Sequence, residues 1–85
     1  MIVTVDVPDY SPEHDLRRQW DEGSVIATKW EDGTLVVEAN REGLLSLARL
    51  MLTLAAQSVP PGAHWHLDDS NALEPSSIGL IIERR

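Results

Sequence analysis

Two histidines and an aspartate occupy alternate positions of one short segment. His64, His66 and Asp68 would point to the same side of a strand, since side chains alternate between its faces. Two imidazoles beside a carboxylate could ligate zinc, or place a base next to an acid. A metal site needs three or four convergent ligands with supporting partners, whereas exposed strand faces carry alternating polar residues for solvation alone. The pattern therefore favours a solvated face or a partner contact over a metal site or a catalytic site.

Other candidates for catalysis are weaker. The chain contains no cysteine, and no serine lies in a Gly-x-Ser-x-Gly elbow. The acidic pairs Asp21-Glu22, Glu31-Asp32 and Asp68-Asp69 fall in or beside predicted turns, where carboxylates are normally solvated. Amides at the start of the predicted main helix could hold an anion, but without a glycine-rich loop a close packing contact at Gly43 is the favoured interpretation. We expect a non-enzymatic protein with no catalytic residue, metal or cofactor.

Three tryptophans must supply most of the aromatic surface, because the chain has no phenylalanine. Trp65 alternates toward the predicted core. Trp20 and Trp30 suit a core lid and a partner contact equally well, because aromatic residues dominate both small cores and binding hot spots. The predicted partner-binding residues are His64, His66, Asp68 and Trp30.

Hydrophobic periodicity predicts the elements that position these residues. Ile2 to Val7 alternates as a half-buried strand, and Ser11-Pro12-Glu13 begins a short helix that reaches about Trp20. Ser24 to Trp30 and Thr34 to Ala39 flank Asp32-Gly33, which predicts a β-hairpin. After the main helix, His64 to Asp68 and Ile78 to Glu83 are predicted to be the last two strands.

The main helix is predicted from Asn40, its N-cap, to about Gln57, before Pro60-Pro61-Gly62 ends it. Its predicted central buried stripe consists of Leu44, Leu47, Ala48, Met51, Leu52 and Ala55. Its predicted polar strip consists of Glu42, Ser46, Arg49, Thr53 and Gln57. The apolar arc is wider than a single sheet contact requires. Either the segment around Leu16 and Trp20 or a second protein chain would cover the remainder.

These elements predict a single α+β domain over residues 1–85. We expect a five-stranded, largely antiparallel or mixed sheet in the order β-β-β-α-β-β, with one long amphipathic helix on one face. The short helix after the first strand would be an addition to this order. The other face of the sheet has no predicted cover and would be free for another molecule.

Composition limits the kinds of partner. The 85 residues carry a formal charge of −7, which disfavours binding to nucleic acid or to an anionic membrane surface.

No stretch approaches the length of a membrane span, and the N-terminus lacks the pattern of a signal peptide, so we expect a cytoplasmic protein. Small domains bury a limited fraction of their surface, which makes homodimerisation a reasonable support.

Three motifs in the second half of the chain carry a resemblance to a known family. Glu38 to Leu45, the His64-x-His66-Leu67-Asp68 segment and Ser77 to Glu83 resemble, in this order, the bacterial immunity protein 32 family. Such proteins are predicted to be encoded beside polymorphic toxins and to neutralise them by binding. The resemblance implies a toxin-binding antidote that is not an enzyme. A small homodimeric scaffold or interaction protein is the alternative, and a metal-dependent enzyme is a distant third.

Overall fold

The computed structural model of the protein describes residues 1–7 and 21–85. In these residues it contains four strands and one helix. They are β1 (Ile26–Glu31), β2 (Thr34–Ala39), α1 (Arg41–Ala55), β3 (His64–Leu67) and β4 (Leu80–Glu83). The α+β class and the single long helix are confirmed.

The predicted hairpin is formed by β1 and β2. Their register runs from Ile26 opposite Ala39 to Glu31 opposite Thr34, which leaves a two-residue turn. Both turn residues have positive φ, 51° at Asp32 and 79° at Gly33. This is the backbone that a tight hairpin turn requires, and it suits Asp-Gly because glycine adopts positive φ without strain.

Asn40 caps α1 and also ties it to the chain that precedes β1. Its Oδ1 accepts hydrogen bonds from the amides of Gly43 at 2.8 Å and Val25 at 3.0 Å. Its Nδ2 donates to the carbonyl of Gly23 at 2.9 Å. At the other end of the helix, Nη1 of Arg84 donates to the carbonyls of Leu54 and Ala56. The predicted N-cap is confirmed, and both helix ends have partners for their free backbone groups.

The prediction of one five-stranded sheet is wrong: the described strands form two separate antiparallel pairs, β1-β2 and β3-β4. Residues 74–78 run beside the free edge of β1, and the amide of Glu74 donates to the carbonyl of Ile26 at 2.8 Å. Pro75 has no amide hydrogen, and Ser76 has a φ of 70°, so this segment cannot continue as a regular ladder. The two hairpins are therefore linked by a few hydrogen bonds rather than merged into one sheet.

The predicted first strand is also wrong, because residues 1–7 form no strand in the structure. They lie along α1 instead: Nε of Arg49 donates to the carbonyl of Asp6 at 3.0 Å. Met1 and Val3 line a cavity of about 410 Å³ against the first half of the helix. An alternating pattern forms a strand only where a sheet edge is available for backbone pairing. Here the segment lies along a helix instead. The predicted short helix from Ser11 to about Trp20, and the proposed cover by Leu16 and Trp20, lie outside the described residues.

The helix buries a different stripe from the predicted one. Its buried residues are Gly43, Ser46, Leu47, Leu50, Thr53 and Leu54. Two of them, Ser46 and Thr53, were assigned to the polar strip. Oγ of Ser46 accepts from the amide of Asp21 at 2.9 Å, and Oγ1 of Thr53 donates to the carbonyl of Arg49 at 2.7 Å. Because both hydroxyls form hydrogen bonds, burying them costs little free energy. The stripe that was predicted to be buried, which is more apolar, faces outward instead.

Candidate partner-binding surface

The hairpin of β3 and β4 has one buried face and one exposed face. Trp65 and Leu67 are buried in the core, and Nε1 of Trp65 donates to the carbonyl of Leu50 at 2.9 Å. The prediction that Trp65 faces the core is confirmed. The opposite face, here called the solvent face, consists of His64, His66, Ile81 and Glu83, all exposed. His64 lies opposite Glu83 and His66 opposite Ile81, so the four side chains form one compact group.

Both histidines of the solvent face are available to a partner. The Nδ1 atom of His64 lies 3.0 Å from the carbonyl oxygen of Gly62, and its ring is otherwise exposed. Nε2 of His66 lies 3.9 Å from Oδ2 of Asp68, which is too long for a hydrogen bond. Within residues 1–7 and 21–85, no group of three or more His, Cys, Asp or Glu side chains is placed to hold a metal ion.

Asp68 shapes the loop that follows β3. Its Oδ1 accepts from the amide of Ser70 at 2.9 Å and from the Ser70 hydroxyl at 2.6 Å. The Ser70 hydroxyl, followed by the Ser70 amide, lowers the pKa of Asp68 below its usual range. Asn71 closes the loop, since its Oδ1 accepts from the amide of Asp68 and its Nδ2 donates to the carbonyl of His66. One oxygen of Asp68 is therefore used by the loop, and Oδ2 points toward His66.

Trp30 lies on the β1–β2 hairpin and the histidines on β3–β4. In β1 it shares a face with Ile26 and Thr28, which are buried in the core, but it extends past the core and is 63% exposed. Leu35, its cross-strand neighbour, and Val37 are also exposed. The structure thus brings His64 and His66 together with Asp68 at their edge, and it leaves Trp30 on a separate apolar patch at the hairpin end.

The basic side chains near these surfaces are largely engaged within the fold. Nζ of Lys29 lies 2.8 Å from a carboxylate oxygen of Glu38 and 3.4 Å from one of Glu31, and the hydrogen bond that Lys29 donates to Glu38 is the main cause of its raised pKa. Arg49 forms an ion pair with Asp21 at 2.9 Å. Each of these ion pairs uses one cation and at least one carboxylate, so the excess of acidic groups behind the formal charge of −7 remains and the surface is predominantly acidic.

One exposed surface was missed by the sequence analysis. The outer face of α1 consists of Leu44, Ala48, Met51, Leu52 and Ala55, which were predicted to be buried. Leu44, Met51 and Leu52 are each about half exposed. The sequence does contain a signal for the face that is buried instead. If small hydroxyl residues are accepted in the core, a second helical stripe appears, consisting of Gly43, Ser46, Leu50, Thr53 and Leu54.

Comparison with known protein families identifies the family of this chain. The model of the immunity protein 32 family matches residues 34–85, which include β2, α1, β3 and β4. The chain belongs to the immunity protein 32 family. No curated protein and no solved structure matches the chain.

Within this immunity protein 32 family member, the matched region contains the whole solvent face of β3–β4 and leaves out β1, which carries Trp30. Among the described residues, no helix has both the length and the apolar character that a membrane span requires. The outer face of α1 also lies within the matched region.

Proposed function

We propose that this immunity protein 32 family member neutralises a protein toxin by binding it directly, without a catalytic step, through the solvent face of β3–β4. The observation that carries the proposal is the exposure of that face within the region that matches the family. Its four side chains make few contacts within the fold, whereas the opposite faces of the same strands are packed in the core. A surface that the fold does not use is free to be used by a partner.

The chemistry of the solvent face suits a protein interface. Ile81 is 58% exposed and provides an apolar centre. His66 lies opposite it, and His64 and Glu83 form the next cross-strand pair. An apolar centre with polar groups around it is the usual composition of an interface between two proteins.

Charge narrows the kind of toxin. A formal charge of −7 would speed the capture of a basic partner by electrostatic steering, and it would slow the approach of an acidic one. We therefore propose a toxin with a basic surface, such as an enzyme that acts on nucleic acid. We place the encounter in the cytoplasm. Cells that make the toxin without an export signal should grow when they also make this protein and stop growing when they do not.

The direct test is a titration of toxin activity in vitro. A candidate toxin, chosen from the genes that neighbour the one for this protein, is held at a fixed concentration well above the expected Kd, and the purified protein is added in steps. Binding predicts that activity falls linearly and vanishes at a fixed molar ratio near one. If a small fraction of an equivalent abolished the activity with time, the protein would be acting as an enzyme and the proposal would be wrong.

A pair of variants tests the location of the contact. Ile81→Ala together with His66→Ala removes the apolar centre and its cross-strand neighbour, and we expect toxin binding to weaken by about 10-fold or more, since hot-spot truncations cost more than about 1 kcal/mol each. Val25→Ala is the matched control, because Val25 is also an exposed aliphatic residue but lies outside both hairpin faces and the outer face of α1. Equal affinity for both variants would place the contact elsewhere.

A further inference from the structure

The outer face of α1 contains a regular seam. Leu44, Ala48, Met51 and Ala55 follow one another at intervals of four, three and four residues. At about 100° per residue, they fall within an arc of about 60° on the helix. This is the spacing by which one helix packs lengthwise against another. Along the seam, large and small side chains alternate.

The charges around the seam favour a second copy of an acidic chain as its partner. Within Arg41–Ala55, the exposed residues are Arg41, Leu44, Met51, Leu52 and Ala55, so the one exposed charge is a cation. Two chains that each carry −7 repel one another across most approaches, and the outer face of α1 itself contains no carboxylate.

We propose that the outer face of α1 binds a second copy of this chain, with the two helices antiparallel and a two-fold axis between Ala48 and Met51. In this arrangement Leu44 of one copy, at the edge of the cavity that it lines with Met1 and Val3, faces Ala55 of the other, and Met51 faces Ala48. Both large side chains of the seam, Leu44 and Met51, then meet a small one, which lets the helices approach evenly along the seam. A parallel pair would set Leu44 against Leu44 and Ala48 against Ala48, and the spacing between the helices would be uneven.

The antiparallel arrangement also complements the helix ends. The last turn of α1 contains no basic residue of its own, and Arg84 is the cation that reaches its carbonyls within the described part of the fold. Arg41 of the second copy would lie near that turn, where a cation is favoured by the negative end of the helix dipole. The same pairing occurs twice, because the two-fold axis repeats it.

The size of the seam sets the strength of the contact. Fifteen residues of helix extend about 22 Å. One such seam buries less than the roughly 800 Å² per partner of a standard stable interface. The dimer should therefore form and dissociate with concentration. It leaves the solvent face of β3–β4 free, because that face lies on the opposite side of its strands from the core.

Sedimentation analysis of the full chain from micromolar to millimolar concentration tests the dimer. We expect a reversible shift from monomer to dimer that Met51→Glu abolishes, since it sets two carboxylates near the axis. Ile81→Glu is the control, with similar exposure and the same change of charge on the other side of the molecule, and it should dimerise as the natural chain does. A natural chain that stays monomeric, or a control that loses the dimer, would overturn the proposal.

Cysteine cross-linking tests the antiparallel arrangement and uses the absence of any natural cysteine. Leu44→Cys and Ala55→Cys chains are prepared separately and mixed under mild oxidation. We expect disulfides mainly between the two different variants, because the two Leu44 positions would be about 16 Å apart along the axis, beyond disulfide reach. Rapid disulfide formation within the Leu44→Cys chain alone would contradict the arrangement. Loss of toxin binding in Met51→Glu, with a monomeric natural chain, would instead assign this face to the toxin.

Discussion

Replacement of Gly43 by alanine should destabilise the protein although alanine is the better helix former. A Cβ at this position would lie 2.6 Å from the carbonyl oxygen of Val25, 2.9 Å from Cγ1 of Ile26 and 3.1 Å from Cβ of Ala39. The first of these neighbours is backbone and accepts the amide of Asn40 at 3.1 Å, so it cannot move without breaking the link between the helix start and β1. The close packing contact predicted at Gly43 is confirmed.

The size of the effect follows from opposing contributions. Alanine gains about 1 kcal/mol of helix propensity over glycine. Overpacking against a rigid neighbour costs about 1–3 kcal/mol, and strain on the Asn40 hydrogen bonds adds about 0.5–1.5 kcal/mol. We expect a net loss of about 0.5–3.5 kcal/mol in the free energy of unfolding.

Urea unfolding at 25 °C, followed by tryptophan fluorescence, measures this loss. Gly79→Ala is the control, because its added Cβ would lie 3.8 Å from the carbonyl of Leu67, an ordinary contact. That variant should change stability by less than about 1 kcal/mol. If Gly43→Ala proved as stable as the natural chain or more stable, the close approach of α1 to β1 would be refuted.

Three further predictions concern single hydrogen-bonding groups. Asn40→Ala removes three hydrogen bonds at the helix start and should cost about 2 kcal/mol in urea unfolding, since loss of an N-cap alone costs about 1 kcal/mol; an unchanged midpoint would refute the capping role. Asp68→Asn should lower stability at neutral pH. Because the pKa of Asp68 is lower in the folded protein, its stabilising contribution is present above about pH 4 and is lost as the pH falls through the folded pKa. The unfolding midpoints of the two proteins should therefore converge in acid, and a difference that persists there would contradict this. His64→Ala with His66→Ala should change stability by less than about 1 kcal/mol, because both side chains are exposed, and a collapse of the fold would refute their placement.

The local elements could be predicted because local chemistry determines them. The Asp32-Gly33 turn provides the positive φ that its hairpin needs, and Asn40 provides the cap that begins α1. The exposed histidines could also be placed, since strand alternation sets them opposite Trp65 and Leu67. Each of these features depends on residues a few positions apart in the chain.

The assembly of the elements could not be predicted in the same way. The sheet is divided beside Pro75 and Ser76, and that depends on where residues 74–78 meet β1. The buried stripe of α1 depends on the hydrogen bond that the Ser46 hydroxyl accepts from the amide of Asp21, two residues that are 25 positions apart in the chain. A prediction from hydrophobic periodicity counts serine as polar. It contains no information about a distant group that forms a hydrogen bond with the serine hydroxyl.

The motifs of the family resemblance have different roles in the structure. Asn40 and Gly43 hold the start of α1 against β1, so the first motif is structural. In the second motif, Leu67 belongs to the core and Asp68 shapes a loop. His64 and His66 are the members that the fold uses least, which is why the proposed toxin contact rests on their face of the hairpin.

The most direct test of the proposed toxin contact is NMR titration of the labelled protein with its toxin. We expect the largest changes in backbone amide shifts to fall on His64–Leu67 and Leu80–Glu83 and to saturate at a fixed molar ratio. Absence of any change, or changes confined to Ile26–Ala39 or to Arg41–Ala55, would contradict it.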